Sequence, residues 1–319
     1  MNKHYQYKPA SRRRVFLCKK MKMMYYNEST IIYCNGEFIR AVDARANMYD
    51  QSLHYGYAVF EGIRAYDTDK GLNIFKAAEH YNRLQFSADA IGIPYPYENE
   101  ALIQISYELM NRNKFRNAYL RPILTCSPNM SLTKARESQL SILAWEWDAY
   151  LGNQLLRLKT SSYRRITPAS FKVEAKVSGH YVNSILATQE AKDSGFDEAL
   201  LLDADGYVAE GPGANVFIEK NGILFTPQRG SILPGITRST VFEICKELDI
   251  EVAESRITVQ DVYESDSCFY CGTAAEIIGI ESLDKKPFRL QWEASLSAVI
   301  QRAYKKIVAG KEISTEKVA

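Results

Sequence analysis

Four tight reversals constrain this chain most. Asn35-Gly36, Asp67-Thr68-Asp69-Lys70-Gly71, Asp203-Ala204-Asp205-Gly206 and Asn221-Gly222 each separate two runs with strand character. Two of them are the Asn-Gly pair that a two-residue hairpin favours, because both central residues there take positive φ. Residues 31–41 alternate about the first, and 59–66 and 72–75 flank the second. Further strands are expected over 119–126, 139–147, 250–253 and 268–272. Helical spacing selects 77–91 (Tyr81, Leu84, Phe86, Ala88, Ile91), 98–113 (Ala101, Ile105, Leu109), 181–193 and 237–248. A short helix near 260–264 and a final one over about 291–308 complete the pattern. Strands joined by hairpins pair antiparallel, so the pattern predicts α+β and not a doubly wound α/β sheet. The GxGxxG of a dinucleotide-binding unit is absent as well.

A length of 319 residues suits two domains. The stretch 148–154, which follows a strand and contains Gly152, is the natural joint. The expected division is a basic, disordered tail over 1–24, a small α+β domain over 25–147, an interdomain loop over 148–159 and a large α+β domain over 160–319.

Charge is unevenly spread. Residues 1–22 carry eight Lys or Arg and no acid; taking these eight from the net +2 leaves −6 over residues 23–319. An acidic body argues against a nucleic-acid-binding surface. The tail reads as an over-early start (Met21, Met23 and Met24 offer later ones), a solvated extension or an Arg-rich transit segment. No run approaches the about 20 apolar residues of a membrane helix, so no membrane partner is expected. The cytoplasm is the expected location. Cys268 and Cys271 form a CxxC in a segment that reads as a buried strand. With no second CxxC or close His, no metal site is expected and packing is preferred to redox chemistry.

Four local features bear on chemistry. Lys176, in an apolar stretch just before a helix, is either a solvated loop lysine or a desolvated nucleophile able to form a Schiff base. Glu210-Gly-Pro-Gly-Ala-Asn215 is either a surface turn or one that aims a carboxylate inward. Leu233-Pro-Gly-Ile-Thr-Arg238 runs into a helix, where free amides form a cap or an anion cradle. Gly272-Thr-Ala-Ala-Glu276 again presents small residues after a strand.

In this order, and with His54-Tyr-Gly-Tyr-Ala-Val-Phe-Glu-Gly-Ile-Arg64, Glu79-His-Tyr-Asn-Arg-Leu84, Ala118-Tyr-Leu-Arg-Pro122 and Trp147-Asp-Ala-Tyr150, the string resembles the branched-chain aminotransferases. These are fold type IV, D-amino-acid aminotransferase-like enzymes that use pyridoxal 5′-phosphate. The resemblance spans about residues 31–311. It implies a two-domain fold whose larger domain binds the cofactor. It implies transfer of the amino group of L-leucine, L-isoleucine or L-valine to 2-oxoglutarate in a ping-pong cycle, as in branched-chain amino-acid biosynthesis.

By the same resemblance, Lys176 carries the cofactor and shuttles the proton, Glu210 faces the pyridine nitrogen and Tyr181 the ring hydroxyl. Arg83, Ile236, Thr237 and Thr273 hold the phosphate. Tyr119 and the amides of Thr273 and Ala274 take the α-carboxylate, and Arg121 accepts the γ-carboxylate of glutamate. Phe60, Gly62, Trp147, Tyr150 and Tyr181 wall an apolar pocket, Tyr55 reaches in from a second subunit of a homodimer or larger oligomer, and Arg64 supports the pocket from behind. The partners implied are amino acids and 2-oxo acids. Val-Ser-Gly-His between Lys176 and Tyr181 is bulkier than in many relatives, His180 receives no role, and the CxxC precedes the GTA motif where a redox CxxC would follow it. Rival readings are a D-amino-acid transaminase, 4-amino-4-deoxychorismate lyase, a silent cofactor-binding homologue and a thiol-redox protein. Tyr119 with Arg121 argues against the first two, Lys176 with Glu210 against the third, and the apolar setting of Cys268 against the fourth.

Overall fold

Each of the four reversals closes a hairpin in the computed structural model, which describes residues 25–147 and 154–313. At the first, Asn35 and Gly36 both take positive φ (48° and 97°), the conformation the Asn-Gly pair was expected to supply. The basic tail over 1–24 and Tyr150 lie outside the described residues.

The first half runs β1 (Ile31–Cys34), β2 (Glu37–Arg40), α1 (Gln51–Tyr55), β3 (Val59–Phe60), β4 (Ile63–Thr68), β5 (Gly71–Ile74), α2 (Ala77–Ile91), α3 (Asn99–Asn113), β6 (Ala118–Cys126) and β7 (Ser138–Trp145). Its strands form one antiparallel sheet in the order β2-β1-β7-β6-β4-β5, with β3 also paired to β6. Helices α2 and α3 bury Tyr81, Leu84, Leu102 and Leu109 against Ile63, Leu120 and Leu140 of the sheet.

The second half runs β8 (Leu156–Arg164), α4 (Tyr181–Asp193), β9 (Glu198–Leu202), β10 (Val208–Glu210), β11 (Asn215–Lys220), β12 (Ile223–Pro227), α5 (Ile236–Glu247), β13 (Val252–Ser255), α6 (Val259–Tyr263), β14 (Ser267–Gly272), β15 (Glu276–Leu283), β16 (Lys286–Pro287) and α7 (Leu296–Val308). The second sheet is mixed, in the order β10-β9-β8-β15-β14-β11-β12-β13, with β16 on β15. Its ends approach each other, the Val208 amide donating to the Ile257 carbonyl (2.8 Å) just beyond β13. Alternation along β11 and β14 sends Val216, Ile218, Cys268 and Tyr270 into an inner cluster, while Phe217, Phe269 and Cys271 meet α5 and α7. Cys268 and Cys271 therefore sit on opposite faces of one strand, and burial pushes both thiols up.

Several expected boundaries shift, each for a local reason. The loop over 148–159 is shorter, since β8 already begins at Leu156; residues 148–153 lie outside those described. The strand expected over 250–253 becomes Val252–Ser255, because the Ile250 amide donates back to Cys245 and finishes the turn leaving α5. The last helix starts at Leu296, where the Ser295 side chain caps the Ala298 amide. The helix at 77–91 has the expected bounds, but Phe86 is exposed and the polar His80 and Ser87 take the buried face instead. In α3 the buried register is Leu102, Ser106, Leu109 and Met110, and Ala101 is exposed. Strands β8 and β15 have no counterpart among the expected elements.

Candidate active site

A cavity of about 410 Å³ opens between the two sheets, the kind of cleft in which ligand sites form. Its walls include Phe60, Gly62, Arg83, Tyr119, Arg121, Trp147, Lys176, Tyr181, Glu210, Ile236, Thr237, Thr273 and Ala274. Apart from Tyr55 and the undescribed Tyr150, these are all the residues picked out from the sequence for cofactor and substrate. Tyr55 does not line the cavity of its own chain; it is 44% exposed and its hydroxyl donates to the Met130 carbonyl at 3.2 Å.

Lys176 is held through its backbone. The segment that carries it zips onto the strand entering β3. Ser178 N–H donates to Ala58 O (2.8 Å), Gly179 N–H to Gly56 O (3.0 Å) and Phe60 N–H to Lys176 O (3.1 Å). The Lys176 amide donates to Ser87 Oγ of α2 (2.9 Å). The two chains touch glycine to glycine: a Cβ on Gly56, whose φ is +64°, would lie 2.8 Å from Gly179 Cα. Lys176 Nζ then donates to Tyr181 Oη at 2.6 Å and lies 4.9 Å from the Phe60 ring centroid.

Glu210, which lines the same cavity, ends β10 and is 5% exposed. Arg165 Nε donates to its Oε1 (2.6 Å), Asn215 Nδ2 to its Oε2 (3.0 Å), and the Leu233 amide also donates to it. Burial raises the carboxyl above the usual range although Arg165 pulls the other way. Arg165 lines the cavity, and its Nη1 is buried without a hydrogen-bond partner.

The third corner is built for an anion. α5 starts at Ile236 without a side-chain cap, so the amides of its first turn lack intrahelical partners and the positive end of its dipole faces the cavity rim. Arg83 of α2 reaches the same place, its Nη1 donating to Pro234 O at 3.1 Å. Behind it Glu61, 0% exposed, accepts from Arg83 Nε (2.7 Å) and Nη2 (2.9 Å) and from His80 Nδ1 (2.6 Å). Burial works to raise the Glu61 carboxyl, but Arg83 and His80 outweigh it and hold it far below the usual range. Burial, outweighing Glu61, lowers His80.

The fourth wall is aromatic and cationic. Tyr119 and Arg121 point the same way from β6, as does Ile123. The Tyr119 ring lies 4.9 Å from Trp147, and the Arg121 guanidinium 4.6 Å from the Phe60 centroid. Arg121 Nε is buried without a partner. A Cβ on Gly62 would collide with Tyr119 Oη, so only glycine leaves room for that hydroxyl. Arg64 stands outside the cavity wall and ties the halves together, its Nε donating to Thr273 O (3.2 Å), its Nη2 to Ala274 O (3.0 Å) and its Nη1 to Trp147 O (3.3 Å).

Sequence reasoning missed Arg165, Asn215, Ile123 and Glu61. Arg165 follows β8, a strand that was not anticipated. Glu61 lies inside a quoted motif but received no role. Asn215 closes the turn that begins at Glu210, and only the fold shows that its side chain reaches back to that carboxylate.

Known proteins are similar to this chain in sequence and fold. Residues 58–283 match the family model of amino-transferase class IV. The branched-chain-amino-acid aminotransferase of Pseudomonas aeruginosa is 37% identical over 287 residues, which is 88% of this chain and 94% of the relative. The crystal structure of a branched-chain aminotransferase from Thermoproteus uzoniensis with norvaline superposes with a TM-score of 0.86 at 37% identity, covering 90% of this chain and 97% of that one. The branched-chain amino acid aminotransferase of Thermobaculum terrenum, in its PLP-bound holo form, gives 0.84 at 30% identity, over 89% of this chain and 95% of that one. With most of its length matched and its architecture shared, this chain belongs to the class IV aminotransferase family.

Proposed function

We infer that this chain is a pyridoxal 5′-phosphate-dependent transaminase. It moves the amino group of L-leucine, L-isoleucine or L-valine to 2-oxoglutarate in a ping-pong cycle, releasing branched-chain 2-oxo acids and L-glutamate. The observation that carries this reading is that one cavity gathers a lysine, a buried carboxylate and an arginine beside an uncapped helix start, with Tyr119 and Arg121 on the wall between the sheets.

The residues fit the cofactor. Arg121 and Arg165, which line the cavity, each keep a buried nitrogen without a partner, and the first turn of α5 offers free amides to a phosphate. Arg83, Ile236, Thr237 and Thr273 hold that phosphate, Tyr181 the ring hydroxyl and Glu210 the ring nitrogen. When bound, the cofactor supplies the electron sink for the carbon that loses its proton. Lys176 Nζ holds and moves that proton. Glu210 keeps the ring nitrogen protonated, since an opposite charge at hydrogen-bond distance favours the charged form, and Arg165 in turn favours ionised Glu210.

Tyr119, Thr273 and Ala274 take the α-carboxylate, and Arg121 takes the γ-carboxylate of glutamate. Phe60, Gly62, Trp147, Tyr150 and Tyr181 bury the branched methyl groups. Such a pocket separates aliphatic side chains by only about 1–3 kcal/mol per methylene, so all three amino acids are substrates.

The enzyme works as a homodimer or larger oligomer. Supporting this, Val182, Ile185 and Leu186 on α4, and Leu53 with Tyr55 on α1, are exposed in the single chain. Tyr55 then completes the site of the neighbouring subunit. Free cysteines fit a cytoplasmic location. Among the described residues no helix is long and apolar enough to cross a membrane.

Steady-state assays with L-leucine and 2-oxoglutarate test the function. Parallel double-reciprocal lines with L-glutamate as product are expected; intersecting lines, or no glutamate from any L-branched amino acid, would contradict it.

A further inference from the structure

We propose that Glu61 is the positioning residue of the cofactor's phosphate pocket, setting the orientation of Arg83 through a two-point grip that His80 locks. The inference rests on the reading of Arg83 as a phosphate ligand and extends it to residues that do not line the cavity.

An arginine near a cavity does not define an anion site unless its fork is aimed, because the side chain has several rotamers and the guanidinium is planar. Here the aim is fixed from behind. Glu61 sits in the short break between β3 and β4, with its amide donating to Pro122 O (2.8 Å). Its two oxygens accept from Nε and Nη2 of Arg83 in the bidentate manner that gives carboxylate–guanidinium pairs their geometric specificity. That occupies one edge of the guanidinium. The remaining nitrogen, Nη1, is turned to Pro234 O, two residues ahead of the first helical residue of α5. The grip therefore fixes the arginine and places it in register with the helix start.

His80 and Arg83 are three residues apart on α2, so both project from one helix face onto the same carboxylate. Glu61 Oε2 also accepts from the Gly62 amide (3.2 Å). The carboxylate thus has partners on both oxygens and little freedom to rotate. Glu61 and His80 are almost fully buried and neither lines the cavity, so neither touches a ligand there. Their influence passes through Arg83 and, for Glu61, also through the amide of Gly62, which walls the substrate side of the cavity.

The test compares two ligands of the apoenzyme: pyridoxal 5′-phosphate and pyridoxal, which shares the ring and aldehyde but has no phosphate. Affinities are read by absorbance titration in wild type, Glu61→Gln, Glu61→Asp and Arg83→Met. Glu61→Gln leaves one acceptor and a misplaced donor, and Glu61→Asp keeps the charge but shortens the reach, so it also serves if the glutamine variant fails to fold. Both are expected to weaken pyridoxal 5′-phosphate by about tenfold or more, equivalent to about 1.4 kcal/mol, with pyridoxal unchanged. Equal weakening of both ligands would reduce Glu61 to a structural residue. Unchanged or tighter phosphate binding in the Glu61 variants, with Arg83→Met impaired, would overturn the positioning role. Unaltered discrimination in Arg83→Met would instead overturn the assignment of Arg83 itself.

Discussion

At the scale of single residues, two of the cavity's side chains, Arg121 and Arg165, keep a buried nitrogen without a hydrogen-bond partner. Lys176 is fixed along its backbone while its amine donates to Tyr181 and lies over the Phe60 ring. Replacing it by alanine removes the proposed proton carrier without disturbing those backbone bonds. Transamination should fall by at least the about 10²–10⁴-fold that positioned proton transfer contributes, with the thermal unfolding midpoint nearly unchanged. Near-normal turnover would remove Lys176 from its role. Arg121 presents an unpartnered buried Nε. Arg121→Ala should raise KM for glutamate roughly ten- to a hundredfold, the loss of one charge-assisted bond, while KM for leucine changes much less. Equal losses for both substrates would contradict the dual use of the pocket. The individual side chains named by motif were legible because the motif strings preserve them. Arg165 was not, since its meaning depends on Glu210, 45 residues later, which only folding brings to 2.6 Å.

Elements were legible where local chemistry decides them. Both Asn-Gly pairs turn with positive φ, and the helices at 77–91 and 181–193 match to the residue, because hairpin dihedrals and helical spacing are short-range properties. They were illegible where tertiary pairing decides. β8 carries Arg, Lys, Thr and Ser through its middle and is a strand because β9 and β15 lie parallel on either side of it. Phe86 reads as core in the periodic pattern, yet the face of α2 that turns inward directs His80 to Glu61 and Ser87 to the Lys176 amide. Polar residues on a buried helix face are thus the signature of the site, and an apolar template misreads them. The contact between Gly56 and Gly179 is the element-level joint of the active site. Gly56→Ala adds a side chain at φ +64° against the backbone of Gly179, so a cost of about 2–4 kcal/mol in stability is expected from strain and overpacking together. Cofactor occupancy should fall with it, because the displaced segment carries Lys176. Unfolding and occupancy both equal to wild type would show that the joint tolerates separation.

For the whole molecule, α+β architecture follows from the hairpins, and the cleft between two separately cored sheets is where the motifs from both halves meet. The sequence does not show that meeting, since its contacts, such as Arg64 to Thr273 and Ala274, span more than two hundred residues. Global stability should depend on pH through the buried histidines. Burial lowers His180 to about 4, with Arg165 adding to the shift, and burial lowers His80 as well. In the unfolded chain a histidine titrates near about 6.5. As pH falls below that value the unfolded state takes up protons that the folded state refuses, so stability is full above about 6.5 and declines towards about 4. Chemical denaturation at pH 7.5 and 5 should show the loss, smaller in His180→Asn. A flat profile in the wild-type protein would contradict the buried neutral state of both rings.

The proposed activity requires the cavity to hold pyridoxal 5′-phosphate and to exchange an amino group with L-branched amino acids. An absorbance spectrum of the purified protein, taken before and after L-leucine and, in a separate sample, D-alanine, tests it most directly. A yellow band is expected that L-leucine bleaches, that 2-oxoglutarate restores and that D-alanine leaves in place. Bleaching by D-alanine alone, or a protein that stays colourless with added cofactor, would contradict it.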